Sequence, residues 1–179
     1  MKKAFLIFIT LTITSFVYPQ QESLKELVND NVTVNSRTKW RGKSRKALRL
    51  DIPENARGFF YTLQVSKADS PLPAIRRLLL DAVAERQELS ANISNRADII
   101  IEKEQEKYID INVFLLPSQE DSKLFEQRLN YDYKYLYKWE DVGDEIRYVP
   151  FKGPKTLYLG FHNTNPTIGL NIQVQVVAK

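Results

Sequence analysis

Apolar residues recur at every second position through most of the chain, the spacing of half-buried β-strands. Leu48, Leu50 and Ile52 alternate with Arg49 and Asp51, and the run stops at the turn residues Pro53-Glu54-Asn55. Phe59, Tyr61, Leu63 and Val65 form the next set, and Ile109, Ile111, Val113 and Leu115 alternate with Asp110 and Asn112. Leu157, Leu159 and Phe161 follow the turn Lys152-Gly153-Pro154. Ile168, Leu170, Ile172, Val174 and Val176 then alternate with Asn171, Gln173 and Gln175 towards the end of the chain. Successive side chains of a strand point to opposite faces, so each set predicts one core-facing row. Weaker strands at 98–102 and 145–149 bring the expected number to about eight.

The period changes once. Ser70 offers a cap, Pro71 suits a first helical position, and Ile75, Leu78, Leu79, Ala82, Val83 and Leu89 recur at helical spacing. Arg76, Arg77, Asp81, Glu85 and Glu88 fall mainly on the opposite side. The pattern predicts an amphipathic helix at about 71–89 with one face on a sheet, and a second, short helix is expected at 121–128. Many short strands between Gly/Pro turns, with one inserted amphipathic helix, define a mainly β chain: an antiparallel β-sandwich of jelly-roll type.

The N-terminus reads differently. Met1-Lys2-Lys3 precedes an uncharged run from Ala4 to Val17, and polarity returns at Tyr18-Pro19-Gln20-Gln21. Two lysines before about 14 mostly apolar residues are the layout of a secretory signal peptide. A bilayer-spanning helix needs about 20 residues, so residues 1–20 are expected to be removed, leaving no transmembrane span. Residues 21–38 are polar, with a weak helical pattern at Leu24, Leu27 and Val28, and are expected as a loosely attached leader. The sandwich domain is then expected at 39–179.

Removing Lys2 and Lys3 leaves 24 basic residues against 22 acidic, so the formal charge of +4 falls to +2. The chain has no cysteine. An exported chain of this composition has no disulfide, carries no lipidated cysteine, and excludes thiol catalysis and thiolate metal sites. It is therefore expected in the periplasm or secreted, and not as a lipoprotein.

Several segments resemble a known type of domain. They are Gly42-Lys43-Ser44-Arg45 before a strand, Phe59-Phe60-Tyr61, the run from Ile109 to Leu116, and Leu157-Tyr158-Leu159-Gly160-Phe161-His162-Asn163 followed by a strand ending Val174-Gln175-Val176-Val177-Ala178. Over roughly 39–179 the chain resembles secreted bacterial β-sandwich domains of uncharacterised function, and more remotely the GOLD-type sandwich of cargo-receptor luminal domains. The resemblance implies a sandwich fold and a binding or structural role. It supplies no catalytic residues, and the cysteine pair common in GOLD-type domains of cargo receptors is missing here.

Two segments carry candidate binding chemistry. In Tyr131-Asp132-Tyr133-Lys134-Tyr135-Leu136-Tyr137-Lys138-Trp139 the aromatics fall on alternate positions, so one extended strand would present all five on one side. An open face of this kind is a stacking platform for a glycan or an apolar strip for a protein, through Tyr133, Tyr135, Tyr137 and Trp139. A closed one is the core-facing side of a strand, as cross-strand aromatic pairing favours. The second segment is basic, with Arg37, Lys39, Arg41, Lys43, Arg45 and Lys46 around Trp40. Arg41, Lys43 and Arg45 could contact anionic lipid or lipopolysaccharide; the alternative is a charged edge strand that resists pairing with other chains. No nucleic-acid motif accompanies it.

Catalytic constellations are not evident. His162 is the single histidine, which excludes multi-histidine metal sites, and its place beside Asn163 suggests a turn residue. Asp141, Asp144 and Glu145 cluster around Gly143 but lack the alternating oxygen ligands of a calcium loop. The expected function is a non-enzymatic exported module, with no cofactor and no resident metal, that binds a protein partner or contributes to an envelope or surface assembly. The alternatives are a carbohydrate-binding or carbohydrate-active protein using 131–139, and an anionic-lipid contact through 37–46.

Overall fold

The computed structural model describes residues 24–40, 42–69, 98–102, 109–127, 132–152 and 156–179, with the backbone alone over 98–102. The expected helix at 71–89 and the expected signal segment lie outside these residues. Nine strands occur among those described: β1 (Lys25–Val34), β2 (Arg45–Asp51), β3 (Gly58–Lys67), β4 (Asp98–Glu102), β5 (Ile111–Leu116), β6 (Tyr137–Val142), β7 (Glu145–Pro150), β8 (Thr156–His162) and β9 (Leu170–Ala178). The described helix, α1 (Gln119–Glu126), follows β5, close to where the short second helix is predicted. The strands form two antiparallel sheets, ordered β1-β9-β3-β7-β4 and β2-β8-β5-β6. With β4 set aside, the chain passes between two four-stranded sheets in the order of a jelly roll.

The alternating rows become the layer between the sheets. Phe59, Tyr61 and Leu63 of β3 and Ile172, Val174 and Val176 of β9 face Leu157, Leu159 and Phe161 of β8 and Ile111, Val113 and Leu115 of β5 in one buried cluster. Each such side chain, fully withdrawn from water, contributes roughly 1.5–3 kcal/mol, so a chain without disulfides is held by this layer.

Residues 25–34 depart from the expected loose leader. They form β1, which pairs with β9 from Lys25↔Ala178 to Val34↔Leu170. Val32 and Val34 lie in the core. The weak helical spacing of Leu24, Leu27 and Val28 yields to a ladder that satisfies the backbone and buries a β-branched pair. Among the described residues the sandwich therefore starts with β1 at Lys25, upstream of the expected boundary at 39.

The outer face of the four-stranded sheet is covered in its middle. Ser118 caps α1 by accepting from Asp121 N at 3.0 Å. The helix lays Phe125 onto Phe114, Leu116 and Tyr158, a second buried cluster with Ala47 and Tyr133 at its margin. Glu126 Oε1 accepts a 2.9 Å bond from the backbone N–H of Ala47, on the edge strand β2. Gly160 makes this docking possible: a Cβ there would sit 2.8 Å from Phe125 Cε1 and 3.2 Å from Leu116 Cδ1.

At one end of the sandwich the wholly buried Asn163 ties three stretches together. Its Nδ2 donates to Ile168 O at 2.8 Å and Asn35 O at 3.2 Å. Its Oδ1 accepts from Asn165 N at 2.9 Å, and its backbone N–H donates to Ser44 O at 2.9 Å. The turn role expected of His162 belongs to this neighbour.

Gly160→Ala is expected to destabilise the chain by about 1–3 kcal/mol, because the phenyl ring it meets is boxed in on all sides. Urea unfolding measures this, and an unchanged midpoint would mean that α1 is not seated on β8.

Candidate functional site

The aromatic segment does not form one strand. Only Tyr137 onwards belongs to β6; residues 132–135 have no regular structure, and Tyr131 lies outside the described residues. Asp121 Oδ1 of α1 accepts from Lys134 N at 2.7 Å and holds this stretch across the outer face of the sheet. The aromatics consequently divide between two sides.

Tyr133 and Tyr135 lie outside. Both meet Phe114 edge-on, at 5.9 and 5.8 Å between ring centres, and Tyr133 also meets Phe125 at 5.3 Å. Tyr137 and Trp139 turn inward. In the β5–β6 ladder they oppose Leu115 and Val113, whose side chains are in the core, whereas Lys138 opposes the outward Phe114. Tyr137 and Trp139 stack at 5.4 Å with planes 6° apart, half-buried because β6 is an edge strand.

Behind that pair lies a polar group that sequence reasoning missed. Glu145 and Arg147 of β7 oppose Leu63 and Tyr61 of β3 and so face the interior. Arg147 donates through Nε and NH2 to Glu145 at 3.0 and 2.8 Å, and Tyr61 OH donates to the same carboxylate at 2.5 Å. The Arg147 guanidinium lies 5.1 Å from the centre of the Trp139 ring. Burial pushes the Tyr61 phenol well above its ordinary pKa, and the Glu145 charge adds to this. The network is internally paired and explains why two charges are retained there. It also removes Glu145 from the suggested calcium set. Asp144 is engaged as well, accepting from Val65 N at 2.8 Å. Among the described residues, no three His, Cys, Asp or Glu side chains gather as metal ligands.

The outer aromatics meet the basic segment. The Arg45 guanidinium lies 5.6 Å from the Phe125 ring centre and 5.8 Å from that of Tyr133, a cation–π geometry. Lys43 reaches Glu126 at 3.7 Å; Arg41 lies outside the described residues. Arg45, His162 and Asn112 form one cross-strand row on the outer face. Burial first, and then the charges of Arg45, Arg37 and Lys138, lower the His162 pKa to about 4. The imidazole is thus neutral at neutral pH.

Trp40 is 86% exposed, Tyr135 51% and Leu136 46%. These are the exposed large apolar side chains of the described residues, and all three fall within the basic and aromatic segments. Tyr133, Tyr135 and Arg45 are therefore brought to one surface, while Tyr137 and Trp139 belong to the other face of β6. His162 and Lys138 complete the surface, over the buried Phe125. The signal for Phe125 and Phe114 was present in the sequence: Phe114 and Leu116 occupy the solvent parity of β5, which implies cover on both faces. Comparison with protein-family models, with curated proteins and with solved structures found no match.

Two outcomes follow. Arg147→Met leaves the Glu145 carboxylate unpaired in the interior and is expected to cost about 3–5 kcal/mol. Adding Glu145→Gln should recover part of that loss in a double-mutant cycle by urea unfolding; strict additivity would deny the coupling. For His162, the folded pKa of about 4 lies below the unfolded value near 6.5. The unfolded chain then binds more protons between these values, so this stabilisation is complete above about pH 6.5 and declines as pH falls towards 4. Thermal unfolding across this window should show a shallower slope for His162→Gln than for the native chain.

Proposed function

We propose that the chain is an exported, non-enzymatic β-sandwich module that binds a protein partner within an envelope or surface assembly. Docking takes place on the outer face where the basic and aromatic segments meet. The observation that carries this reading is the contact of Arg45 with Tyr133. It joins two stretches far apart in sequence into one surface, beside exposed Tyr135 and Leu136. Trp, Tyr and Arg are the side chains that dominate binding energy at protein interfaces. A rigid sheet and helix hold Tyr133 and Arg45 in place, so little ordering entropy is lost on docking.

Glycan binding by a single five-aromatic ladder loses its support, because the aromatics divide between two faces. The leucine among the exposed apolar side chains also suits a protein better than a sugar ring.

Export rests on Met1-Lys2-Lys3 and the apolar run that follows. No helix among the described residues is long and apolar enough to cross a membrane. Since β1 begins at Lys25 and pairs from that residue, processing that preserves the fold must cut before it. N-terminal sequencing of the exported product is expected to give a start upstream of Lys25.

The docking face is tested by placing a photo-crosslinking phenylalanine analogue at Tyr135 and, as a control, at Asn31 on β1. In cells, a discrete crosslinked protein is expected from position 135 and none from 31. Equal crosslinking at both positions, or none at 135, would refute the assignment.

A further inference from the structure

All the charges that act on His162 are cationic. Arg45 stands beside it across the β2–β8 ladder, where directly opposed Cβ atoms lie about 4.5–5.5 Å apart. Arg37 approaches from the loop after β1 and Lys138 from β6, and no carboxylate contributes. Among the described residues, no carboxylate pairs with Arg37 or Arg45, whereas Lys43, Arg49, Lys138 and Arg147 pair with Glu126, Asp51, Glu140 and Glu145 respectively. Glu126 on the adjoining helix is taken up by Ala47 N and Lys43. Within the described residues, Arg45 has as its hydrogen-bond acceptor the carbonyl of Phe125, at 3.5 Å. Two arginines are thus left, among the described residues, with unused donors around a half-buried neutral imidazole, on a surface that also carries exposed Tyr135 and Leu136.

Such an excess has a cost within the chain, because like charges repel across a partly desolvated floor. A partner that supplies carboxylates relieves it. Arginine presents a planar fork that fits a carboxylate in two-point contact, and apolar side chains ringed by charge are the usual anatomy of a protein interface. We propose that the Arg37–Arg45–His162 surface recognises an acidic protein segment in which carboxylates alternate with apolar residues. The carboxylates pair with the two arginines and the imidazole, and the apolar residues lie against Tyr135 and Leu136. This rests on the docking face proposed above and adds the chemistry of what docks there.

His162 also provides the readout. It is the single histidine of the chain, so its Cε1–H resonance reports on this surface without assignment ambiguity. A carboxylate brought beside it favours the imidazolium. The groups that face the ring from the packed elements are Arg45 on β2, Asn112 on β5, Lys138 on β6 and Arg37 on the loop after β1.

The full processed chain is titrated by NMR between pH 3 and 8, alone and with the peptide acetyl-Glu-Leu-Glu-Glu-Leu-Glu-amide. Parallel arms use the same peptide with glutamine for glutamate, a heparin hexasaccharide, and phosphatidylglycerol vesicles. At low salt the acidic peptide is expected to raise the proton affinity of His162 at least tenfold. Arg37→Gln, at an exposed position, is expected to weaken peptide binding severalfold, and Arg45→Lys to weaken it while leaving the fold intact. An unchanged His162 titration with the peptide present overturns the proposal. So does equal binding of the glutamine peptide, although that result leaves the docking face standing. Tighter binding of the hexasaccharide or of the vesicles overturns it in favour of a glycan or a lipid surface. If the peptide binds as proposed but position 135 yields no crosslinked protein in cells, the acidic chemistry stands and the envelope partner falls.

Discussion

The side-chain amide of Asn163 is where separate stretches of chain are fixed to one another. It is wholly buried, and it donates to carbonyls at the end of β1 and in the turn before β9. Its backbone N–H reaches the residue that precedes β2. Without a buried donor at this point, those carbonyls would be withdrawn from water with no partner, at roughly 1–3 kcal/mol each. The constraint has a positional consequence. His162 is the adjacent residue, and Arg45 follows Ser44, so both are set in place by the bonds that close this end of the sandwich. The turn carrying Arg37 is pinned to the same region through Asn165 O and Pro166 O.

From that fixed end the two faces of the four-stranded sheet diverge. The inner face meets apolar side chains except beneath Trp139, where Glu145, Arg147 and Tyr61 of the opposite sheet satisfy one another. There the charges are compensated and have nothing left to offer. On the outer face, α1 and Gly160 create an aromatic floor, and among the described residues Arg37 and Arg45 beside it pair with no carboxylate. The same residue types thus serve opposite purposes, and what separates them is whether a carboxylate lies within reach. Tyrosine follows the same division, with Tyr61 sealed inside at 0% exposure and Tyr135 at 51%.

Much of the fold was legible in the sequence because a two-residue period is a direct record of burial. The rows at 48–52, 59–65, 109–115, 157–161 and 168–176 fall on β2, β3, β5, β8 and β9, and 98–102 and 145–149 became β4 and β7. The leader was misread because β1 carries polar side chains along most of its length. Its place is set by pairing with β9 and by the buried Val32 and Val34, and edge pairing leaves little trace in hydropathy. The aromatic segment was misread for a different reason. Alternation implies one face only while the chain stays extended, and the capture of Lys134 N by Asp121 breaks that extension. Contacts between distant segments, such as Arg45 with Tyr133 or Arg147 with Trp139, have no local signature at all.

The bond from Ala47 N to Glu126 also bears on how another chain can approach. β2 closes one side of its sheet, and an unpaired N–H on such a border ordinarily invites an extended peptide to join as a further strand. Here the helix has already filled that vacancy with a carboxylate. A visiting chain at this border therefore meets a ladder already interrupted at Ala47. Side-chain contacts gain weight there over strand addition, and selectivity shifts towards a partner's sequence rather than its readiness to become a strand.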